Sequence, residues 1–273
     1  MQLTILVDNH AADGLRKEHG LSFLVDTDAG MLLFDAGQSD AWTANLRALG
    51  KDPTGIRAVC LSHGHYDHTG GLAFLPRTNR VPCYIHPECV WPRYAVDANS
   101  VRSIGVPSGV FSSGPQFVYN RTALEILPGV TLSGEIPMAV ETPDPSQGRY
   151  FNDTDGRNPD MFIDEQCLII RDGDKIAVLI GCSHRGVENN VAAAMEIAGT
   201  DRLSLLAGGM HLGRADDRRL DCAADYLSSL KIDQIVCCHC TGDRAFEFLS
   251  DRLGGRVSQG RAGMRFNVGK GTD

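Results

Sequence analysis

The feature that most constrains this chain is the run His63-Gly64-His65-Tyr66-Asp67-His68, placed directly after the apolar stretch Arg57 to Leu61. That stretch reads as a buried strand, and a loop at the end of such a strand is where α/β folds place their sites. Three imidazoles and a carboxylate in so short a loop are metal-ligand chemistry. His is the commonest protein ligand, and Asp adds a hard anionic oxygen. His63 and His65 can face one side of an extended turn, while Asp67 and His68 serve a second ion nearby. Gly64 and Gly70 supply the backbone freedom expected of so tight a turn. Two ions ~3.5–4 Å apart are the arrangement used for hydrolytic and phosphoryl chemistry.

A His-rich surface loop would explain that run alone, but not three later segments. Lys175 to Ile180 leads into Gly181-Cys182-Ser183-His184, Leu203 to Ala207 into Gly208-Gly209-Met210-His211, and Gln234 to Val236 into Cys237-Cys238-His239-Cys240. Three apolar strands each deliver a His at the carboxyl end, which argues for convergence on one pocket.

Around these anchors the chain reads as alternating short strands and helices. Strands are expected over Leu3 to Asp8, Leu21 to Asp26, Met31 to Asp35 and Val81 to Ile85, and a helix over Asp40 to Leu49 with Trp42, Leu46 and Leu49 on one face. A short helix is expected over Leu72 to Leu75. Cys167 to Arg171 and Lys175 to Ile180 form a hairpin across Asp172-Gly173-Asp174. Helices follow over Val187 to Ala198, Asp217 to Leu230 and Arg244 to Leu253, with a closing strand at Arg265 to Val268. Between Pro87 and Glu165 the periodicity dissolves. That stretch is expected to be a lid or pocket insertion within one domain spanning residues 1–273. Its aromatics (Trp91, Tyr94, Phe111, Phe117, Tyr119) and arginines (Arg93, Arg102, Arg121) suit a flat or anionic ligand.

Composition excludes several classes. A net charge of -8 with no basic run beyond Arg218-Arg219 argues against a nucleic-acid partner. The first residues lack the basic and apolar regions of a signal peptide, and no stretch approaches the ~18 apolar residues of a membrane span. The expectation is a cytoplasmic protein with no membrane partner. Nine Cys, an odd number, fit reduced thiols better than a disulfide framework. A homo-oligomer remains open.

His63-Gly64-His65-Tyr66-Asp67-His68 resembles the H-x-H-x-D-H signature of the metallo-β-lactamase superfamily. Gly181-Cys182-Ser183-His184, Gly208-Gly209-Met210-His211-Leu212 and Cys238-His239-Cys240-Thr241-Gly242 look like one prokaryotic branch, the 7,8-dihydropterin-6-methyl-4-(β-D-ribofuranosyl)aminobenzene 5′-phosphate synthase-like proteins. Val7-Asp8-Asn9 and Asp164-Glu165-Gln166 fit that branch too. The resemblance implies a four-layer αββα sandwich. It also implies that His63 and His65 ligate a first metal, that Asp67, His68 and His239 ligate a second, and that His184 fills a remaining position. Where the family carries a further ligand His, this chain has none between His86 and His184; Glu135 lies near that place, as a ligand or a plain surface residue. Cys182 stands where many members have a bridging Asp, either as a soft ligand favouring zinc or iron or as packing beneath the site. Asp35 resembles the strand-end Asp that accepts a ligand His ring N–H; the alternative is a turn Asp capping the next helix. Asp8, Asn9 and Arg185 are weaker pocket candidates, and His10, His19 and His86 carry no assignment.

The function expected is metal-dependent hydrolysis of an ester, lactone or phosphoester of a small molecule, one that is anionic or phosphorylated. Two divalent ions would serve, zinc first, with iron or manganese as alternatives. Asp67 or His211 would handle the proton. One rival is a synthase joining a dihydropterin diphosphate to a ribofuranosyl-aminobenzene phosphate. The other is a non-catalytic metal or redox sensor built on Cys237, Cys238 and Cys240 around His239.

Overall fold

The computed structural model describes residues 1–76, 81–113, 115–140, 142 and 149–269. Residues 143–148, which fall in the stretch expected as an insertion, lie outside the described residues. The strands of the first half are β1 (Gln2–Val7), β2 (Ser22–Thr27), β3 (Gly30–Phe34), β4 (Ile56–Cys60), β5 (Pro82–Ile85), β6 (Tyr94–Asp97), β7 (Ser100–Ser103) and β8 (Gln116–Tyr119). Then come β9 (Leu124–Leu127), β10 (Val130–Leu132), β11 (Tyr150–Phe151), β12 (Leu168–Asp172) and β13 (Lys175–Ile180). The last are β14 (Arg202–Gly208), β15 (Lys231–Cys237), β16 (Val257–Gln259) and β17 (Arg265–Asn267). Helices are α1 (Ala41–Ala48), α2 (Tyr66–Thr69), α3 (Ser108–Ser113), α4 (Val187–Ala198), α5 (Asp217–Ser229) and α6 (Asp243–Leu253).

Two seven-stranded sheets result, ordered β17-β1-β2-β3-β4-β5-β8 and β16-β15-β14-β13-β12-β10-β9. Each is antiparallel on one side and parallel on the other, with β3 to β5 and β8 parallel in the first and β13 to β16 parallel in the second. The period-2 pattern of the strands explains how they stack. In β13, Ala177 and Leu179 face the first sheet, while Ile176, Val178 and Ile180 pack under the helices on the other side. In β2, Phe23 and Val25 enter the layer between the sheets and Leu24 packs on the α1 side with Trp42 and Leu46. Three apolar layers therefore separate four structural ones, which is the αββα sandwich.

The strand alternation also separates the clustered cysteines. Cys237 packs in the helix-side layer and Cys238 in the layer between the sheets, so the two thiols do not join His239 and Cys240 in a zinc knuckle.

The region 87–165 differs from a separate insertion. β8 forms the edge of the first sheet, and β9 with β10 forms the edge of the second. Among the described strands of this region, the small sheet β11-β6-β7 stands apart from the main sheets. Strands of three or four residues, with half of β8 and β9 exposed, leave too little periodic signal to read in sequence. No helix among the described residues is long and apolar enough to cross a membrane.

Candidate metal centre

The site lies at the carboxyl ends of β3, β4, β13, β14 and β15. Among the described residues, five that are not glycine have a left-handed backbone: Asp35, Phe162, Ser183, His211 and His239. All five belong to this site. Asp35, Ser183, His211 and His239 each lie in the turn just after β3, β13, β14 or β15, where the reversal takes the chain off the strand direction; His211 and His239 line the cavity, and Asp35 and Ser183 brace it from beneath. Such conformations are costly for residues with a Cβ and persist where the surroundings enforce them.

The loop after β4 is held from beneath by Asp35. One carboxylate oxygen accepts the Ser62 N–H at 2.7 Å; the other accepts the Ser62 hydroxyl at 2.6 Å and lies 2.7 Å from His68 Nδ1. Asp35 therefore acts on Ser62 and His68 and does not cap α1. The same loop is clamped from above by residues 164–166. Asp164 accepts the Gly64 N–H at 2.8 Å, and Gln166 donates its N–H to the Ser62 carbonyl at 2.8 Å. Asp164 and Asp160 are paired with the buried Arg93 at 2.6 Å and 2.8 Å. The need for Gly64 is contact, not turn freedom, because its Cβ would lie 2.0 Å from the Cys89 carbonyl.

His63, His65 and His184 form one flank. Their rings approach to 4.7 Å (His63–His65), 4.9 Å (His63–His184) and 4.8 Å (His65–His184). Nε2 of His63, Nε2 of His65 and both ring nitrogens of His184 are buried with no hydrogen-bond partner. Burial lowers the pKa of all three well below the usual imidazole value. They are neutral imidazoles with free lone pairs, the form that binds a metal. His184 stacks on Phe162 at 4.0 Å and 4°, and its N–H and that of Arg185 are held by Glu165 at 2.6 and 2.8 Å. His184 thus reaches His63 and His65 from the turn after β13.

Asp67, His68 and His239 form the other flank. His239 Nε2 is 3.4 Å from Asp67 Oδ2, its Nδ1 is 3.0 Å from Asn9 Oδ1, and its N–H donates to Asp8 at 2.8 Å. Burial opposes the charge of Asp67, but hydrogen bonds from His19 and His239 hold its pKa well below the carboxylate range. Burial likewise opposes protonation of His68, yet Asp35 raises its pKa to about 9. Cys182 joins the flanks. Its sulfur lies 3.1 Å from His68 Nε2, and within 4.8 Å of ligand atoms of both His63 and His184. It therefore faces the cluster, and does not pack beneath it.

Some expectations are corrected and others extended. Glu135 is not in the cluster. Its carboxylate pairs with Arg121 at 2.7 Å and lies 3.0 Å from His86 Nε2, on the partly exposed edge near β10. Arg121 is engaged in that pair, and Arg93 is buried in its own, so neither lines the cavity. Asp8 and Asn9 serve His239, while Arg185 binds the Met161 carbonyl. His211 does reach the site, with its ring 4.3 Å from that of His184 and its ligand atom within 4.8 Å of those of Cys182 and Cys240. The sequence reading missed His19, whose Nε2 lies 3.1 Å from Asp67 Oδ2, and Tyr150, whose ring lies 5.5–6.2 Å from those of His65, His184 and His211. No periodic signal marks either residue. A cavity of about 370 Å³ opens over the cluster, lined by His19, Tyr150, His211, Arg102, Arg149 and Arg214 among others.

The donor set fits divalent ions by observation. Buried imidazole nitrogens of His63 and His184 lack protein partners and converge with the Cys182 thiol, while the Asp67 carboxylate gathers with His19 and His239 beside them. Comparison with known proteins agrees. Residues 15–151 match the model of the metallo-beta-lactamase superfamily. The chain is 28% identical over 242 residues, 84% of its length and 82% of the relative's, to the 7,8-dihydropterin-6-methyl-4-(β-D-ribofuranosyl)-aminobenzene-5′-phosphate synthase of Methanocaldococcus jannaschii. The crystal structure of Tm1679, a metal-dependent hydrolase of the β-lactamase superfamily, superposes with a TM-score of 0.84 at 30% identity, covering 99% of this chain and all of that one (100%). Zn(2+)-bound PqqB from Methylobacterium extorquens shares the fold at a TM-score of 0.58 and 16% identity, covering 98% of this chain and 100% of that one.

Proposed function

Because the chain belongs to the metallo-beta-lactamase superfamily, we propose that it is a dinuclear metallohydrolase acting on an ester, lactone or phosphoester of a small anionic molecule. The observation that carries this reading is the buried cluster itself: His63, His65 and His184 carry ring nitrogens without protein partners, His63 and His184 converge with the Cys182 thiol, and Cys182 links them through His68 and His239 to the Asp67 carboxylate. His63, His65 and His184 would hold one ion, and Asp67, His68 and His239 the other, with Cys182 between them. Zinc suits this mixture of nitrogen, oxygen and sulfur donors. Bound there, two such ions would supply a Lewis acid and acidify a water toward neutral pH.

The chain's own groups would do the rest. Arg102, Arg149 and Arg214 line the cavity and would bind an anionic group of the substrate. Burial pushes the Tyr150 phenol up to about 12, so it stays a hydrogen-bond donor at the cavity wall. His211, at the rim beside His184, is the group placed to accept and pass on a proton, while Asp67, held ionised, is better suited to ligand the ion than to take the proton.

The similarity to the pterin-linked synthase favours a second reading, transfer with loss of diphosphate, in which the same arginines would hold the leaving group. The test is metal content by elemental analysis of protein purified without chelator, beside a His63→Ala/Asp67→Ala variant. Two ions per chain, lost in the variant together with hydrolysis of model phosphodiesters or lactones, are expected. A metal-free wild-type protein would overturn the proposal. Metal with no hydrolysis, but product from a pterin diphosphate, would move the assignment to the synthase.

A further inference from the structure

His19 is built into the site more firmly than a loop residue requires. The segment Glu18 to Leu21, just ahead of β2, is anchored on both sides of it. The Glu18 carboxylate accepts the N–H groups of Gln38 at 3.0 Å and Ser39 at 3.3 Å, and also binds the Ser39 hydroxyl. The Glu18 N–H donates to the Asp8 carbonyl at 3.2 Å, and Gln38 donates its side-chain amide to the His19 carbonyl at 2.8 Å. Leu21 N–H reaches the Asp67 carbonyl at 3.3 Å. Gly20 crosses so close to α2 that a Cβ there would lie 2.6 Å from that same carbonyl, with a φ of 153° that side chains rarely adopt. Backbone on both sides is thus tied to the loops that carry Asp67 and Asp35.

This mount aims one imidazole. His19 Nε2 is 3.1 Å from Asp67 Oδ2, its ring centroid is 4.6 Å from that of His239, and the ligand atoms of His19, Asp67 and His239 all lie within 4.8 Å of one another. A carboxylate oxygen shared by two imidazole nitrogens is the donor arrangement of a cation site. We propose that His19 is a metal ligand, binding the same ion as Asp67 and His239. The assignment rests on the dinuclear reading above. It also distinguishes the two ions. The first would be held by buried side chains, whereas the second would have one ligand that is 56% exposed and lines the cavity. His19 is then the ligand that an incoming anionic substrate can displace.

The experiment uses the full chain and compares wild type, His19→Ala and His19→Gln. Zinc affinities are read by competition with a chromophoric chelator, and coordination by the visible spectrum after cobalt(II) substitution. The expected result is two zinc ions per wild-type chain. In both variants the weaker affinity falls by about tenfold or more, the tighter one holds, and the cobalt bands change. Gln can still donate to Asp67, so a His19→Gln protein with wild-type affinity and spectrum would reduce His19 to a hydrogen-bond partner and overturn the proposal. Two unchanged affinities in His19→Ala would do the same. A wild-type chain that binds no zinc would instead overturn the dinuclear reading from which the proposal starts.

Discussion

The two flanks of the metal centre are built by opposite means. On the flank of His63, His65 and His184, rings are stripped of water and left neutral. Their orientation comes mainly from packing and from grips on the backbone: Phe162 stacks on His184, and the Arg93–Asp164 pair holds the Gly64 backbone between the first two histidines, with one side-chain contact from Ser62 Oγ, 2.9 Å from His63 Nδ1. On the flank of Asp67, His68 and His239, each side chain is oriented by a polar partner instead. Asp35 holds His68, Asn9 holds His239, and His19 binds Asp67. Both flanks touch the cavity, His65 and His184 on one side and Asp67 and His239 on the other. They differ in charge: neutral rings with free lone pairs suit a metal, whereas the carboxylate flank, with the half-exposed His19 against it, is suited to exchange of protons or of substrate.

That contrast can be broken most forcefully by chelation. Removing metal should take activity to background and lower the melting temperature, since the orphaned nitrogens of the neutral flank then stay unsatisfied. A chelated protein with an unchanged melting curve would remove the premise of the comparison. Arg93→Ala comes next. It leaves Asp160 and Asp164 as unpaired buried carboxylates, and a loss of about 3–5 kcal/mol in urea unfolding is expected. A loss under about 1 kcal/mol would show that packing around the Gly64 loop does not depend on this pair. Asp35→Asn should act chiefly through His68, weakening one zinc affinity by about 10–100-fold, with a smaller loss at the other because Asp35 also holds the Ser62 hydroxyl that lies 2.9 Å from His63 Nδ1. Equal weakening of both would deny that the flanks are independent.

The smallest effect is a pH dependence. His184→Phe keeps the stack on Phe162 but removes a titrating ring. The folded pKa of His184 lies well below its unfolded value of 6.5 because of burial, followed by repulsion from His211 and His65. Below pH 6.5 the unfolded wild-type chain therefore binds a proton that the folded chain refuses. In chelator, the stability of wild type relative to the variant should be flat above that pH. It should fall as the pH drops, by at most about 1.4 kcal/mol per unit. A difference that stays constant with pH would mean that His184 is not held neutral.

Much of this was legible in sequence because strands announce themselves. β13, β14 and β15 have alternating or continuous apolar runs that end in Gly or Cys before a His. Helix α4 matches its expected span residue for residue, and Asp35 was marked by its place at the end of β3. The failures share a cause. Glu135 lies near the expected gap in the chain, but the turn after β10 sends it to Arg121 and His86. β8, β9 and β10 were hidden in a stretch with no period, because short edge strands bury only part of one face. His19 and Tyr150 sit on segments whose positions depend on contacts far away in the chain.

The sequence by itself determined the superfamily and the side chains of metal-ligand type that mark it, since the H-x-H-x-D-H loop and three strand-end histidines need only local geometry to be recognised. It also determined the layered α/β architecture, through apolar periods of two and 3.6. Only the tertiary structure decided how these side chains are held and which others join them. Left-handed turns at Asp35, Ser183, His211 and His239, the grip of residues 160–166 on the β4 loop, and the approach of His19 to Asp67 are long-range arrangements. Their energy comes from burial and hydrogen bonds between residues distant in the chain, so no local pattern of side chains encodes them.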